Sequence, residues 1–488
     1  MNNAIRIERK SKVKTIITKP TTYDKIGTAL PLAVGVIGLC LWISKIAQNI
    51  TAPGMEYSEG FVRYLNHLFA SGQWNYASIT QGPPYQTSFY TPIFYWIAGL
   101  FGDSLFVGRL VDVICALLSM ALVYLIVHKL SKSKILSLFA ALVPTTQYIF
   151  LQWSLILKTD LMALMFELAG IFMVIRYPKS KLMLLSIPFF VLAFFTKQSF
   201  VAGALATALY LVLESKNEGN FAFFVTGMLV AVVLPLAIAG YATNGEFLRQ
   251  IVTYQQTVPT FLTTGNYFKW VMASFWTLLP FTIPGIFFAF KNPKHLLTIY
   301  AALSIIIALA SMSRSGMSQI YMLESIFAVA MVAAIGLREV IRARQTIYLT
   351  LIVVVPLVAL FSSSLMYSVT DEYKADVKAA TALISDADYP ILTENADMVL
   401  DAGKIPYLCD PFVFMNLSKL GKWDQQPILN DLNNKKIPYV ITQCTIESKL
   451  VIRMTDEVYA AIKANYHVVM DKSAYPYGFV IYKANGGE

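Results

Sequence analysis

Met55-Glu56-Tyr57-Ser58-Glu59-Gly60 places two carboxylates three residues apart, directly after an apolar segment long enough to cross a bilayer. An amphipathic run follows. Phe61, Val62, Leu65, Leu68 and Phe69 recur at helical spacing, and Arg63, Asn66 and His67 take the opposite face. Such a helix is expected to lie flat on a membrane surface. A Gly/Pro/Tyr-rich stretch from Gln81 to Pro92 comes next. The short apolar run 92–102 then reads as a partly immersed helix leading into a second span. Residues 47–103 therefore hold acidic groups at the mouth of a membrane domain, under an aromatic-rich loop.

The composition fits a membrane protein. Of 488 residues 56% are hydrophobic and 14% charged, with a mean hydropathy of +0.57; soluble domains carry roughly 25% charged residues. A spanning helix needs roughly 20 mostly apolar residues. That window selects about eleven candidates, near 26–46, 104–128, 134–152, 160–176, 182–196, 198–214, 221–241, 270–290, 295–311, 319–337 and 346–367. Basic residues recur on alternate loops: a tail from Arg6 to Lys25, then Lys129/Lys132/Lys134, Arg176/Lys179/Lys181, Lys291/Lys294 and Arg338/Arg342/Arg344. The loop around Lys216 is the exception. The positive-inside rule places these loops in the cytoplasm. The same register places 47–103, 153–159, 242–269 and 312–318 outside, together with the C-terminus. The net charge of +10 thus reports topology and gives no reason to invoke nucleic acid.

After about residue 370 polar residues become frequent and no span remains. Pro390-Ile391-Leu392, Tyr439-Val440-Ile441 and Phe479-Val480-Ile481-Tyr482 alternate with helical patterns over 374–384 and 455–465. The expected architecture is an all-α polytopic membrane bundle with a small C-terminal extracytoplasmic α/β domain. Its parts are a cytoplasmic basic tail (1–25), a transmembrane catalytic domain (26–368) and the extracytoplasmic domain (369–488). Cys40 and Cys115 read as packing residues; Cys409 and Cys444 can pair if their segment lies outside.

The outward-facing ionisable groups are few. Glu56 and Glu59 suit a general base, and a solvated loop or capping carboxylate is the alternative for each. Arg109 and Asp112 share a helix face and can pair with each other. Asp160, beside Lys158, enters an apolar helix, where it serves either as a cap or in the site. Glu167 lies deeper in the same helix and reads as a buried hydrogen-bonding group. Lys197 and Gln198 stand in an outer turn, against the positive-inside bias; Lys197 either meets an anionic headgroup or snorkels. Tyr254, Gln255, Gln256, Tyr267, Lys269 and Trp270 suit carbohydrate faces or an interfacial belt. Glu324 needs a partner, either Arg314 or a ligand. P-loop, dinucleotide-binding, Ser-His-Asp and HExxH patterns are absent, and the four histidines are scattered.

These residues resemble the GT-C membrane glycosyltransferases, in particular the protein O-mannosyltransferase-like enzymes and the aminoarabinose transferases of lipid A. Glu56-Tyr57-Ser58-Glu59-Gly60 resembles their acidic motif after the first span. Ala70-Ser71-Gly72-Gln73-Trp74, Tyr90-Thr91-Pro92-Ile93-Phe94-Tyr95-Trp96, Leu100-Phe101-Gly102 and Gly108-Arg109-Leu110 continue the likeness. Lys158-Thr159-Asp160 resembles a second acidic motif, Phe195-Thr196-Lys197-Gln198 a Thr-Lys turn, and Tyr321-Met322-Leu323-Glu324 a late aromatic–acidic motif. Asp410-Pro411-Phe412 and Gly421-Lys422-Trp423-Asp424 look like the soluble tail of bacterial members. Gly82-Pro83-Pro84 departs from the Lys-Pro-Pro of the aminoarabinose transferases.

The resemblance implies a multi-pass protein of the plasma (inner) membrane with a sugar donor carried on a polyprenyl phosphate. A carboxylate deprotonates a glycan, lipid or protein acceptor, which attacks the anomeric carbon. Cationic side chains or a divalent cation offset the charge on the departing phosphate. Glu59 is the expected base, Glu56 its alternative, and Asp160 lies across the cavity. Lys197, Arg109, Lys158, Arg314 and Lys269 are the expected phosphate contacts. Tyr57, Tyr90, Tyr95, Gln198, Tyr321 and Glu324 are the expected substrate contacts. The rival readings are a lipid-linked glycan flippase, an O-antigen ligase or polymerase, and a non-catalytic assembly subunit. A flippase predicts repeats and midplane ionisable groups.

Overall fold

The computed structural model describes residues 22–73, 76–215, 218–255, 266–313, 318–364, 369–448 and 453–486. Helices occupy the apolar windows. α1 (Thr22–Asn49) and α4 (Leu105–Ser131) bracket the outer loop, which carries α2 (Tyr57–Ala70) and α3 (Ile93–Gly99). Next come α5 (Lys134–Leu142), α6 (Tyr148–Trp153), α7 (Asp160–Arg176), α8 (Ser186–Thr196), α9 (Ala202–Tyr210) and α10 (Glu218–Ala242). Further apolar helices cover Leu279–Lys291, Leu296–Met312, Met322–Arg342 and Thr346–Ser364. Among the described residues, four stretches are long and apolar enough to cross a bilayer: Ile26–Asn49, Leu105–Ser131, Glu218–Ala242 and Gln319–Arg342. The other apolar helices are shorter, and two of the breaks fall at prolines. Window 134–152 breaks at Pro144 into a 3₁₀ turn and α6, and window 270–290 restarts with Pro280 in the first turn of Leu279–Lys291. Proline has no amide with which to extend a preceding helix.

Burial sorts the spans. The window in Gln319–Arg342 is 89% buried and forms the centre of the bundle, whereas that of α10 is 6% buried. Leu229, Val230, Val233, Leu234 and Ile238 of α10 are exposed, as lipid-facing side chains would be. α7 packs against α4, α8 and α9. Ser104 caps α4 by accepting from the Val107 amide at 3.2 Å, a contact of the kind that contributes about 1 kcal/mol.

Behind the bundle in sequence, residues 371–484 form a four-stranded sheet, order β1-β2-β4-β3, flanked by helices. β1 (Leu392–Thr393) runs parallel to β2 (Tyr439–Thr442). β4 (Val480–Ala484) is antiparallel to both β2 and β3 (Tyr466–Asp471). β3 has no counterpart in the sequence reading because it is an edge strand with an almost wholly exposed pattern, so the usual alternation is missing. Cys409 and Cys444 do not form a disulfide.

α2 departs from the expected surface helix. Arg63 and Asn66 of its polar face are buried against protein rather than laid on a bilayer, and His67 is exposed. Arg63 donates to Asp401 Oδ1 at 2.6 Å and to the Asp103 carbonyl at 2.6 Å. A Cβ on Gly60 would stand 2.6 Å from the Asp397 amide nitrogen, so only glycine permits this approach. The outer loop is fastened to the same unit: the Tyr85 amide donates to the Tyr407 carbonyl and the Cys409 amide to the Tyr85 carbonyl, both at 2.9 Å. α2 is therefore clamped between bundle and sheet, and this clamp positions the acidic motif.

Candidate active site

Glu56 and Glu59 have opposite environments. Glu59, inside the first turn of α2, is fully buried. Arg109 grips it with two bonds, Nε to Oε1 at 2.8 Å and Nη2 to Oε2 at 2.7 Å. The Met55 amide donates to Oε2 at 2.7 Å and the Leu157 amide to Oε1 at 2.9 Å. All the lone pairs of this carboxylate are thus engaged. Arg109 spends its remaining donors on the carbonyls of Asn49, Ala52 and Pro53. The geometry therefore corrects two expectations: Glu59 has no oxygen free to accept an acceptor's proton, and Arg109 has no donor free for a phosphate. Nor does Arg109 pair with Asp112, which instead accepts from the Lys158 amide at 2.9 Å.

Glu56 is the cap of α2, accepting from the Ser58 amide at 2.8 Å and from the Ser58 hydroxyl. Lys158 Nζ lies 3.1 Å from its Oε2. These contacts all fall on Oε2, which leaves Oε1 to take a proton. The side chain is 26% exposed. Burial pushes its carboxyl up, but the Lys158 ammonium and the Ser58 hydroxyl and amide outweigh that, so it titrates below the usual glutamate range. The adjacent Tyr57 donates to Asp410 Oδ1 at 2.5 Å and accepts from the Phe412 amide at 3.1 Å. The Arg453 guanidinium lies 3.8 Å from the centre of the Tyr57 ring. Burial and the Asp410 charge hold the Tyr57 hydroxyl well above the ordinary phenol range, so it remains protonated.

Lys197 ends α8 and is 2% exposed. Its ammonium lies 2.7 Å from Asp160 Oδ1 and sits 5.0 Å and 4.6 Å from the ring centres of Tyr90 and Tyr321. Asp160 Oδ2 and Gln198 Oε1 are buried without a hydrogen-bond partner. Lys197, Gln198, Tyr90, Tyr321 and Gln255 line a cavity of about 360 Å³. Its other walls are Val201, Ile251, Val252 and Ile307, with Ser199 and Ser311 beside them. A cation at the end of an apolar cleft, with unsatisfied acceptors beside it, suits an amphiphile with an anionic, hydroxyl-bearing head.

The fold has solved counterparts. The family model described as dolichyl-phosphate-mannose-protein mannosyltransferase matches residues 90–239. ArnT from Cupriavidus metallidurans, in its apo state, is 12% identical at a TM-score of 0.58, over 93% of this chain and 98% of that one. The same protein bound to undecaprenyl phosphate gives 13% and 0.57, with the same coverage. The Archaeoglobus fulgidus oligosaccharyltransferase, in complex with Zn and sulfate, is 12% identical at 0.56, over 93% of this chain and 73% of that one. The chain shares the fold of these membrane proteins, and its residues 90–239 match the mannosyltransferase family model. Comparison with curated proteins gave no significant sequence match.

The other expected residues fall apart into several groups. Tyr95 is buried with its ring stacked on Phe69 at 6.0 Å and takes no part in the cavity. Glu324 lies against Glu167 in a buried cluster with the Tyr300 hydroxyl. Glu167 also accepts from the Gly203 amide at 2.7 Å, the buried hydrogen-bonding role its position suggested. Lys269 is exposed on helix Asn266–Phe275 and shares no described contact with the site. Arg314 and Gln256 lie outside the described residues, as do the side chains of Tyr267 and Trp270. Among the described residues no three His, Cys, Asp or Glu come together, and Asp160 already spends an oxygen on an ammonium.

Sequence reasoning named Asp410 only as part of a tail motif and did not single out Arg453; both lie more than 350 residues from Tyr57. Asp410-Pro411 does carry a readable signal, an Asp cap before a first-turn proline. Arg453 carries none.

Proposed function

We propose that this glycosyltransferase moves a sugar from a polyprenyl-phosphate donor to an acceptor hydroxyl on the outer face of the plasma membrane, with the C-terminal sheet unit on that face. The observation that carries the reading is Lys197, a buried ammonium at the head of an apolar cleft between two tyrosine rings. The polyprenyl chain lies along the apolar wall and in the adjoining bilayer, with the phosphate against Lys197. Asp160 Oδ2 and Gln198 Oε1 accept from sugar hydroxyls. The undecaprenyl phosphate held by the Cupriavidus protein supports a donor of this class.

The transfer balances with the groups at hand. The acceptor oxygen bonds to the anomeric carbon as the bond from that carbon to the phosphate oxygen breaks. The electron pair leaves with the phosphate, where Lys197 stabilises it. The acceptor proton passes to Glu56 Oε1. Lys158 keeps Glu56 ionised before the step, and Tyr57, held by Asp410, fixes the turn that carries it.

Removing the ammonium tests the donor assignment. Lys197→Met alone leaves Asp160 charged, buried and unpaired, a cost of several kcal/mol to folding. The double variant Lys197→Met/Asp160→Asn avoids this. It is expected to fold and to bind undecaprenyl phosphate about 10–100-fold more weakly in native mass spectrometry, the loss expected for one or two charge-assisted bonds. Unchanged affinity would remove Lys197 from the donor site.

A further inference from the structure

A second cavity, of about 480 Å³, lies in the C-terminal sheet unit and plays no part in donor binding. It opens at the carboxyl ends of two adjacent parallel strands. Glu394 directly follows β1, and Thr442, Cys444 and Glu447 end or follow β2. Ligands of open α/β sheets bind in the crevice outside the carboxyl ends of the strands. The facing wall is the start of helix Asp456–Asn465, with Asp456 and Tyr459.

The floor of this cleft is tied to the candidate active site. Glu394 is 2% exposed and accepts from the Gln443 amide at 2.8 Å and the Tyr459 hydroxyl at 3.4 Å. Arg453 bridges outward from it, with Nη1 3.8 Å from Glu394 Oε2 and 2.6 Å from Gln443 Oε1. The same guanidinium covers the Tyr57 ring, next to Glu56. Among the described residues, Arg453 and the Tyr57 ring thus connect the floor of the cleft to the turn that carries Glu56. The lining has three carboxylates, Glu394, Glu447 and Asp456, against the one ammonium of Lys463, which lies 3.9 Å from Glu447. Such a surface repels phosphorylated or carboxylated molecules. It offers acceptors for many hydroxyls and one tyrosine for a sugar face.

We propose that this cleft is the acceptor subsite and that it takes a neutral glycan, whose terminal hydroxyl extends past Arg453 to Glu56. The proposal rests on the glycosyl-transfer reading above. Saturation-transfer NMR on the detergent-solubilised full chain tests it. The neutral probes are maltotetraose, cellotetraose and chitotetraose, and the anionic probe is tetragalacturonate. Cys444→Trp fills the cleft, and Glu447→Ala, on the exposed rim, is a second variant that asks less of folding. At least one neutral tetrasaccharide is expected to receive saturation, with tetragalacturonate about tenfold weaker. Its signal should fall about tenfold in Cys444→Trp and measurably in Glu447→Ala. No signal from any neutral probe, or signals unchanged in both folded variants, overturns the subsite. If Cys444→Trp fails to fold, an unchanged signal in Glu447→Ala alone overturns it. A tetragalacturonate signal equal to the neutral ones overturns the neutral class. Undecaprenyl phosphate binding, measured in parallel, separates the two readings. Glycan binding in a chain that takes no undecaprenyl phosphate supports the cleft and removes the donor assignment alone.

Discussion

Glu56→Gln is expected to lower sugar transfer by about 10²–10⁴-fold, the usual loss when a general base is removed, while the protein stays folded and binds donor as before. Gln keeps the shape and can still accept from the Ser58 amide, so the cap of α2 survives. It cannot take a proton. The fall should therefore be in kcat, with little change in the donor KM. The pH profile adds a second check. Because Lys158 and Ser58 hold the Glu56 carboxyl below its ordinary value of 4.5, the base stays ionised as pH falls through the usual glutamate range. Activity should then decline only below that range, as Glu56 protonates. An acid limb centred near neutrality would point to another base. Wild-type turnover by Glu56→Gln in an assay of transfer would remove Glu56 from the chemistry.

Glu59→Gln should fail in a different way, by destabilising the fold. The change leaves the Arg109 guanidinium buried and without its counter-charge, and breaking such a pair typically costs about 3–5 kcal/mol. Arg109→Met should cost a similar amount, since it strands a carboxylate that is fully buried. The double variant Glu59→Gln/Arg109→Met removes both charges and should recover part of the loss. Thermal unfolding followed by size-exclusion chromatography measures this. A Glu59→Gln protein with wild-type stability and no turnover would reverse the roles assigned to the two glutamates.

The division between these two carboxylates shows where the sequence is legible and where it is not. Basic-loop alternation and apolar windows are local signals, and helices do occupy every window. Lys197 stands out in the sequence because a lone lysine in a turn expected outside opposes the charge bias. The partner of Glu59 was not readable. Helical spacing offers Arg109 and Asp112 as a pair, but Arg109 reaches 50 residues back to Glu59, and Asp112 turns to the Lys158 amide. Ser58 shows the same limit. It closes the Glu56 cap, and nothing in a six-residue motif says which of two acids will be sealed by a distant arginine. The polar face of α2 was misassigned for a related reason. Arg63, Asn66 and His67 look like a water-facing surface in one dimension, yet the first two are buried against the C-terminal unit and α3. Amphipathicity reports that a helix has two environments, and the second can be a polar protein surface as readily as solvent.

That clamp also ties the C-terminal unit to the candidate site. Gly60 lets the Asp397 backbone approach α2. Asp410 holds the Tyr57 hydroxyl from the far side, and Arg453 covers its ring. The acidic motif is thus positioned from the bundle by Arg109 and from the sheet unit by Asp410. The proposed donor pocket is lined by the turn between α8 and α9, by Tyr90, by residues 251–255, and by Ile307, Ser311 and Tyr321.

The most direct test of the account is a cryo-electron microscopy structure of the full chain with undecaprenyl phosphate. The phosphate is expected in the cavity between Tyr90 and Tyr321, within hydrogen-bond reach of Lys197 Nζ, with its polyprenyl chain against Val201 and Ile307. Phosphate density elsewhere, with Lys197 still paired only to Asp160, would contradict the account.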